Sequence, residues 1–346
     1  MDTTYKVGII GCGCISGAHA AAYKSNPGYN LVAAADVKPE AARTLADKHG
    51  IPAVYTDYRE MLANEKLDIV SICTWAGLHA EMTVTAAESG VCGILCEKPM
   101  APSLAEAERM MQACAANGVK LAVGHQHRFD PAWVKGRELI AAGAIGTPLL
   151  VSARASDGLL NNGTHYLDGI RYVLGDPKAR WVMAQVERKT DRYERGEPIE
   201  DRLIGLVAFS NGTRALIEVD TPQVPGEEVP PALLLSGTKG TLALGWSGYR
   251  LLDAHGEQEM AFTNDVSSHQ RQAAEFLRWL DGEIADYRCS AAQAYETVAI
   301  MIAMYESVRV QGVVMLPLTA TESPLELMIA SGRLPVEKPG KYDIRA

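Results

Sequence analysis

Long apolar runs are missing from this sequence. No apolar stretch of about 18 residues is present, so no transmembrane helix is predicted. The N-terminus runs straight into a short apolar segment at 6–10, without the charged n-region and apolar h-region of a secretory signal. Basic clusters are missing too. The net charge is −9, and no arginine-rich run or basic face appears, which argues against nucleic acid or an anionic membrane surface as a partner. The seven cysteines, Cys12, Cys14, Cys73, Cys92, Cys96, Cys114 and Cys289, are odd in number and contain no C-x-x-C. Free thiols in a reducing cytosol are expected instead of a disulfide framework, and with them a cytoplasmic location. Cys12 and Cys14 read as small residues of a tight turn. Repeats and low-complexity segments are also absent. What remains is a 346-residue chain with 47% hydrophobic residues, globular and too long for one simple core, so two domains are expected.

The most informative stretch lies near the front. Residues 6–10 are apolar and β-rich, as a strand buried on both faces of a parallel sheet should be. Gly11 and Gly13 then give G-x-G, with Cys14, Ile15 and a helical run following. Gly11 allows the tight turn, and Gly13 lets the backbone approach a pyrophosphate at the positive end of the helix. Ser16 holds the third position of the fingerprint and is small enough for helix–strand packing. Asp36 ends the second apolar strand, where a carboxylate accepts hydrogen bonds from a ribose 2′-OH. The pattern predicts a dinucleotide site for NAD, with NADP possible because Lys38 lies two residues on.

Strand and helix patterns alternate as far as residue 124, which predicts an N-terminal Rossmann domain with a doubly wound parallel sheet over 1–124. Its ligands belong at the carboxyl ends of the strands. Gly11, Asp36, Thr74, Glu97, Lys98, His125 and Gln126 all fall at or just beyond such ends. After 124 the texture becomes long β runs, with Asn211-Gly212 as a hairpin signal. This predicts, over 125–346, a C-terminal α+β domain with an open, mostly antiparallel sheet for substrate binding and oligomerisation. From about 318 the chain reads as a tail with little pattern, able to pack over the first domain or to reach a neighbouring subunit.

Three constellations carry chemistry. Glu97-Lys98-Pro99 follows a buried strand, and a lysine held there can donate to a substrate hydroxyl or carbonyl. Asn161-Asn162-Gly163-Thr164-His165-Tyr166-Leu167-Asp168 opens a helix, with Asn161 and His165 sharing the face of its first turn. Histidine suits proton transfer near neutral pH. Asp168 either orients that imidazole or is a solvated helix acid. His125-Gln126-His127-Arg128-Phe129 leaves the last Rossmann strand. Read as extended chain, it puts Gln126 and Arg128 on one face, as substrate contacts or as packing at the domain joint. H-x-H lacks further ligands at a zinc spacing, so no metal is expected. Thr74 reads as a cofactor contact and His79 as structural.

These motifs, Gly11-Cys12-Gly13 with Asp36, Glu97-Lys98-Pro99-Met100, His127-Arg128-Phe129 and Gly163-Thr164-His165-Tyr166-Leu167-Asp168, together resemble the Gfo/Idh/MocA family over essentially the whole chain. The resemblance implies an NAD(P)-dependent oxidoreductase acting on a ring hydroxyl or ketone of a sugar, glycoside or cyclitol, as a homodimer or homotetramer. Lys98 then matches the catalytic lysine and His165 the catalytic histidine. Lys98, Gln126, Arg128, Asn161 and His165 are the expected substrate contacts. Gly11, Gly13, Cys14, Ile15, Asp36, Thr74, Glu97 and Lys98 are the expected cofactor contacts. Many family members carry Asp where this chain has Asn161. Trp75 and Ala76 stand where Pro and Asn are common. Two other functions are compatible with the same cofactor: transient use of NAD through a 3-keto sugar, leading to elimination or epimerisation, and a non-enzymatic NAD(H) sensor.

Overall fold

The computed structural model describes residues 4–222, 230–263, 265–320 and 322–344. The front of the chain alternates β1 (Tyr5–Ile10), α1 (Ser16–Lys24), β2 (Tyr29–Ala35), α2 (Pro39–His49), β3 (Ala53–Tyr55), α3 (Tyr58–Glu65), β4 (Ile69–Ile72), α4 (Ala76–Glu88), β5 (Gly93–Cys96), α5 (Leu104–Ala116) and β6 (Lys120–Val123). All six strands are parallel, in the order β3-β2-β1-β4-β5-β6. Strand order reverses between β1 and β4, which is where an open α/β sheet presents its ligand crevice. Every residue of β4 and β5 is buried, as the unbroken apolar runs require of strands covered on both faces. Boundaries follow local chemistry. Asp57 caps α3 by accepting from the Arg59 N–H at 2.8 Å, and Gly50 closes α2 in the left-handed region.

The chain continues with α6 (Pro131–Ala141), β7 (Pro148–Ala155), a π-helical turn (Gly158–Gly163) and α7 (Thr164–Val173). Nine strands follow: β8 (Ala179–Glu187), β9 (Thr190–Glu194), β10 (Glu197–Pro198), β11 (Arg202–Phe209), β12 (Arg214–Val219), β13 (Leu233–Gly237), β14 (Gly240–Leu244), β15 (Gly248–Asp253) and β16 (Gly256–Ala261). After them come α8 (Ser268–Leu280), α9 (Ala291–Val310), β17 (Val314–Met315), α10 (Pro324–Ala330) and β18 (Lys338–Asp343). A nine-stranded sheet runs β16-β15-β14-β13-β7-β12-β11-β8-β17. Only its β7–β12 pair is parallel among the described strands, so the expected mostly antiparallel sheet is present. The Asn211-Gly212 turn joins β11 to β12 with Gly212 at φ +88, as its sequence demanded.

Two compact units emerge, and their division departs from the expected cut at residue 124. Asp265–Ala294 clusters with the front of the chain, although the sequence reading placed everything after 124 in the second domain. Two glycines give the reason. A Cβ on Gly28 would stand 2.4 Å from Leu277, and one on Gly93 2.8 Å from Leu280, so α8 packs where the first unit offers no side chain. Tyr29 Oη donates to the Ala273 carbonyl at 2.6 Å and Gln272 Nε2 to the Val123 carbonyl at 3.2 Å, which pins the helix there. The tail is also more ordered than expected. It forms α10 and β18, and β18 pairs with β9 in a small sheet within the second unit.

In the second unit α6 lies against α7 through Trp133, which is fully buried. A Cβ on Gly169 would stand 1.9 Å from Trp133 Cζ3. Gly169→Ala is therefore expected to destabilise this unit by about 1–3 kcal/mol, the range for overpacking a filled core. Thermal unfolding followed by circular dichroism checks it; an unchanged midpoint would show that α6 shifts freely.

Candidate active site

In the first unit the G-x-G turn is built for an anion. Gly11 sits at φ +85, and a Cβ there would stand 2.8 Å from Thr74 and 2.9 Å from the Cys73 backbone, so only glycine lets β1 turn beside β4. Gly13 is exposed, with nothing within 4 Å of where its Cβ would be. Cys14 is exposed and Ile15 half-buried at the start of α1. That helix opens without a side-chain cap or an acid in its first turn. Its first N–H groups are thus left to a ligand, at the end where the helix dipole favours negative charge. Ser16 is fully buried and donates to the Gly13 carbonyl at 2.6 Å, so the departure from glycine tightens the turn.

Asp36 lies at the end of β2. One carboxylate oxygen accepts from the Cys12 N–H at 2.7 Å and the other from the Lys38 N–H at 2.8 Å, which fixes the side chain while each oxygen keeps acceptor capacity for a diol. A cavity of about 380 Å³ opens beside it, lined in part by Asp36, Asp57, Thr74 and Glu81. That volume is in the range of small-molecule sites. Arg59 lines it too, but is drawn to Glu81 and lies 3.8 Å from Asp57. These residues fit a dinucleotide: a bare helix terminus for the pyrophosphate, an acid for the ribose and a cavity for the nucleoside.

Glu97 and Lys98 leave β5 into the same unit. Lys98 is half-buried and its peptide to Pro99 is cis. Glu97 is buried. Its Oε1 lies 2.8 Å from His19 Nε2, and His19 Nδ1 lies 2.8 Å from Ser71 Oγ. Burial opposes charge on the imidazole, but Cys73 and the Glu97 carboxylate outweigh it and raise His19 to about 10. Burial likewise opposes charge on Glu97, but the hydrogen bond and charge of His19, with Lys98 and His269 nearby, hold it down at about 2. The two form a buried ion pair. His269 adds a third donor atom, all within 4.8 Å of one another, the spacing of a minimal metal group. Both His19 nitrogens already face protein partners, so the cluster is organised as a hydrogen-bond chain. His79 is buried and spans the Pro99 carbonyl at 2.9 Å and the Thr74 carbonyl at 3.1 Å, tying two site loops together. Its expected structural role is what the contacts describe.

The segment after β6 is a 3₁₀ turn over Gln126–Phe129, so the two-faced alternation expected of extended chain does not occur. Arg128 is fully buried, donates to the Arg288 carbonyl at 2.9 Å, and receives at its own carbonyl from Arg288 at 3.1 Å. Its burial and these contacts fit the packing alternative of the sequence reading. Gln126 is half-buried beside His127.

In the second unit His165 lies in the first turn of α7. Asn161 does not share that turn, because residues 158–163 are π-helical and α7 begins at Thr164. Extra residues in a helical turn re-aim the side chains it carries and are frequent at functional sites. The strap is held from below. Asp220 accepts from the Asp157 and Gly158 N–H groups at 2.8 and 2.9 Å, and Glu200 accepts from Leu159 N–H at 2.7 Å and Tyr305 Oη at 2.6 Å. Arg192 completes it on Asp220 at 2.9 Å. Asp168 is buried and accepts from Thr297 Oγ1 at 3.2 Å, which rules out a solvated helix acid.

Sequence comparison decides what these parts belong to. Residues 5–125 match the model of the oxidoreductase family with an NAD-binding Rossmann fold, and residues 133–243 that of the GFO/IDH/MocA C-terminal domain. The chain belongs to the Gfo/Idh/MocA oxidoreductases. A D-apiose dehydrogenase of Paraburkholderia graminis is 31% identical over 266 residues, covering 71% of this chain and 69% of its own. A D-glucoside 3-dehydrogenase of Escherichia coli is 28% identical over 338 residues, covering 87% and 95%. A levoglucosan dehydrogenase, solved with NADH and levoglucosan, superposes with a TM-score of 0.80 at 22% identity over 91% of this chain and all of that one.

This Gfo/Idh/MocA oxidoreductase is of an NAD-binding family, and the structure shows Asp36 holding the turn through the Cys12 N–H. Asp36→Ala is expected to raise the KM for NAD about tenfold and to reduce the preference over NADP by about 10–10²-fold, since hydrogen bonds to a charged group carry about 1.5–3 kcal/mol. Steady-state kinetics with both nucleotides checks it, and an unaltered preference would locate selectivity elsewhere. Sequence reading overlooked His19, Glu200 and Asp220. The only signal for His19 was a polar residue on the helix face that packs against the sheet; Glu200 lies two residues before β11 and Asp220 directly after β12, with no motif around either.

Proposed function

We propose that this protein is an NAD-dependent dehydrogenase of a ring hydroxyl in a sugar, glycoside or cyclitol, in either direction, with Lys98 and His165 serving one reacting oxygen. Bound nicotinamide supplies the hydride acceptor. Its nucleotide is held by Gly11, Gly13, the N–H groups at Cys14 and Ile15, Asp36, Thr74 and the Glu97-Lys98 backbone. His165 takes the hydroxyl proton as general base. Lys98 donates to the same oxygen and stabilises its developing negative charge. Asn161 and Gln126 supply amide hydrogen bonds to neighbouring hydroxyls. Asn161 offers no charge to an imidazolium, so the base is supported by position and hydrogen bonding. The observation that carries this reading is a lysine placed at a strand end by a buried ion pair, in the unit that also forms the nucleotide turn. The sugar dehydrogenases among the relatives point to the same substrate class. A panel of sugars, glycosides and polyols with NAD, monitored at the reduced nicotinamide absorbance, tests it. Absence of turnover with intact NADH binding would instead favour a nucleotide sensor.

We further propose a homo-oligomer whose subunits meet on the open face of the nine-stranded sheet. One face of the sheet buries Val151, Val182, Val207, Ile217, Leu235 and Leu242 completely. On the other, ladder partners place Met183, Leu206, Leu216, Ser152, Leu234 and Ala243 in one row. Met183, Ile204, Leu234 and Leu252 on this face are 49, 48, 39 and 51% exposed. An apolar surface spread over this many strands fits a second copy of itself. Light scattering is expected to give a dimer or tetramer, and Ile204→Asp to shift it toward monomer. A monomeric parent would end this part of the proposal.

A further inference from the structure

We infer that His19 is a positioning residue for Lys98, acting through Glu97. This rests on the dehydrogenase reading above, in which Lys98 contacts the reacting oxygen. His19 sits in α1, the helix opened by the G-x-G turn, and its Nε2 lies 2.8 Å from Glu97 Oε1. Its other nitrogen is fixed by Ser71 of β4 at 2.8 Å, so the ring cannot turn away. The second oxygen of Glu97 accepts from the Lys98 N–H at 3.3 Å. Ser71, His19, Glu97 and the Lys98 backbone therefore form a single buried chain. It runs from the strand next to β1, through the nucleotide helix, to the residue that meets the substrate.

Gly124 shows how closely that chain is fitted. A Cβ there would stand 2.5 Å from Glu97 Oε1 and 3.1 Å from its Cδ. The carboxylate occupies the space a side chain would take, and it cannot step aside while His19 holds it. The residue after β6 is thus glycine because the backbone must pass the ion pair. The charge states agree with the geometry: His19 is raised and Glu97 lowered, so the pair is ionised across the neutral range. Lys98 is then presented from a backbone whose neighbouring carboxylate is already paired with His19.

Three variants test the inference. His19→Gln keeps a donor at the Nε2 position, whereas His19→Asn reaches only toward Ser71. Gly124→Ala displaces Glu97 from a different strand without touching the imidazole. The expected result is that His19→Asn and Gly124→Ala lower kcat by about 10²-fold, the effect of displacing a reacting group by about 1 Å. The KM for the sugar and the Kd for NADH, read by nicotinamide fluorescence, stay close to the parent values. His19→Gln restores most of kcat, and the primary deuterium isotope effect rises in the two impaired variants. Acetylation of Lys98 by acetic anhydride, which transfers its acetyl group to the amine and releases acetate, followed by mass spectrometry, gives a readout independent of turnover; its rate is expected to change in His19→Asn and to return in His19→Gln. Unchanged kcat and unchanged Lys98 acylation in His19→Asn would overturn the inference. So would a loss confined to NADH affinity, which would assign His19 to the nucleotide helix alone. A parent protein inactive on the whole panel would sink the dehydrogenase reading, and the acylation rates would still decide whether His19 sets the environment of Lys98.

Discussion

Lys98→Ala is expected to lower kcat by about 10²–10³-fold, the range for removing one donor aimed at developing oxyanion charge, while NADH affinity falls much less. The lysine is half-buried at the end of β5, in a segment whose neighbours are fixed: Glu97 by His19, and Pro99 by His79 through its carbonyl at 2.9 Å. A donor held in advance needs no reorganisation when charge appears on the substrate oxygen, which is why its removal acts on kcat. His165→Ala is expected to fall by about 10²–10⁴-fold, as loss of a general base does. If both residues serve the same chemical step, as proposed, the double variant is expected to lose little more than the worse single one, because the effects of groups that act as a unit are not additive. Steady-state kinetics together with an NADH titration checks all three. Near-parental turnover in both single variants would mean that neither residue meets the substrate.

The second large effect concerns stability. Glu97→Ala is expected to destabilise the first unit by about 3–5 kcal/mol, because it strands a buried imidazolium. The pH dependence follows from the two shifts. Glu97 is depressed from 4.5 to about 2, so its contribution is present above pH 4.5 and is lost as the pH falls through about 2. His19 is raised from 6.5 to about 10, so its contribution is complete below pH 6.5 and is lost as the pH rises through about 10. The difference between parent and variant should therefore be greatest between pH 4.5 and 6.5 and shrink on both sides. Urea unfolding across pH 3–10 measures it. A difference independent of pH would show that the pair contributes packing but no charge.

Much of the first unit was legible in the residues. Apolar runs of four to six residues bounded by glycine and aspartate can only be buried strands, and their alternation with helices leaves few topologies open. The nucleotide turn was legible because glycine at φ +85 and an acid after β2 answer to local geometry and to one ligand. The reading failed where the cause lies far away in the chain. The sequence left Arg128 between substrate contact and packing, and gave no sign that its guanidinium donates to the Arg288 carbonyl, 160 residues on. Asn161 looked like the partner of His165 on one turn. Glu200, just before β11, and Asp220, just after β12, instead hold residues 157–159 leading into and along a π-helical turn.

The amino-acid order by itself determined that this chain would build a parallel dinucleotide-binding sheet and place a lysine and a histidine after recognisable motifs. Those properties depend on short-range spacing, on backbone freedom at glycine and on the charge of individual side chains, none of which needs a partner at a distance. Only the tertiary structure decided that α8 returns to the first unit and that Arg128 is packed away. It alone joined a histidine of the nucleotide helix to the glutamate beside Lys98. Each of these turns on which buried polar group finds which partner, and a buried charge is satisfied by whatever the fold brings within about 3 Å of it.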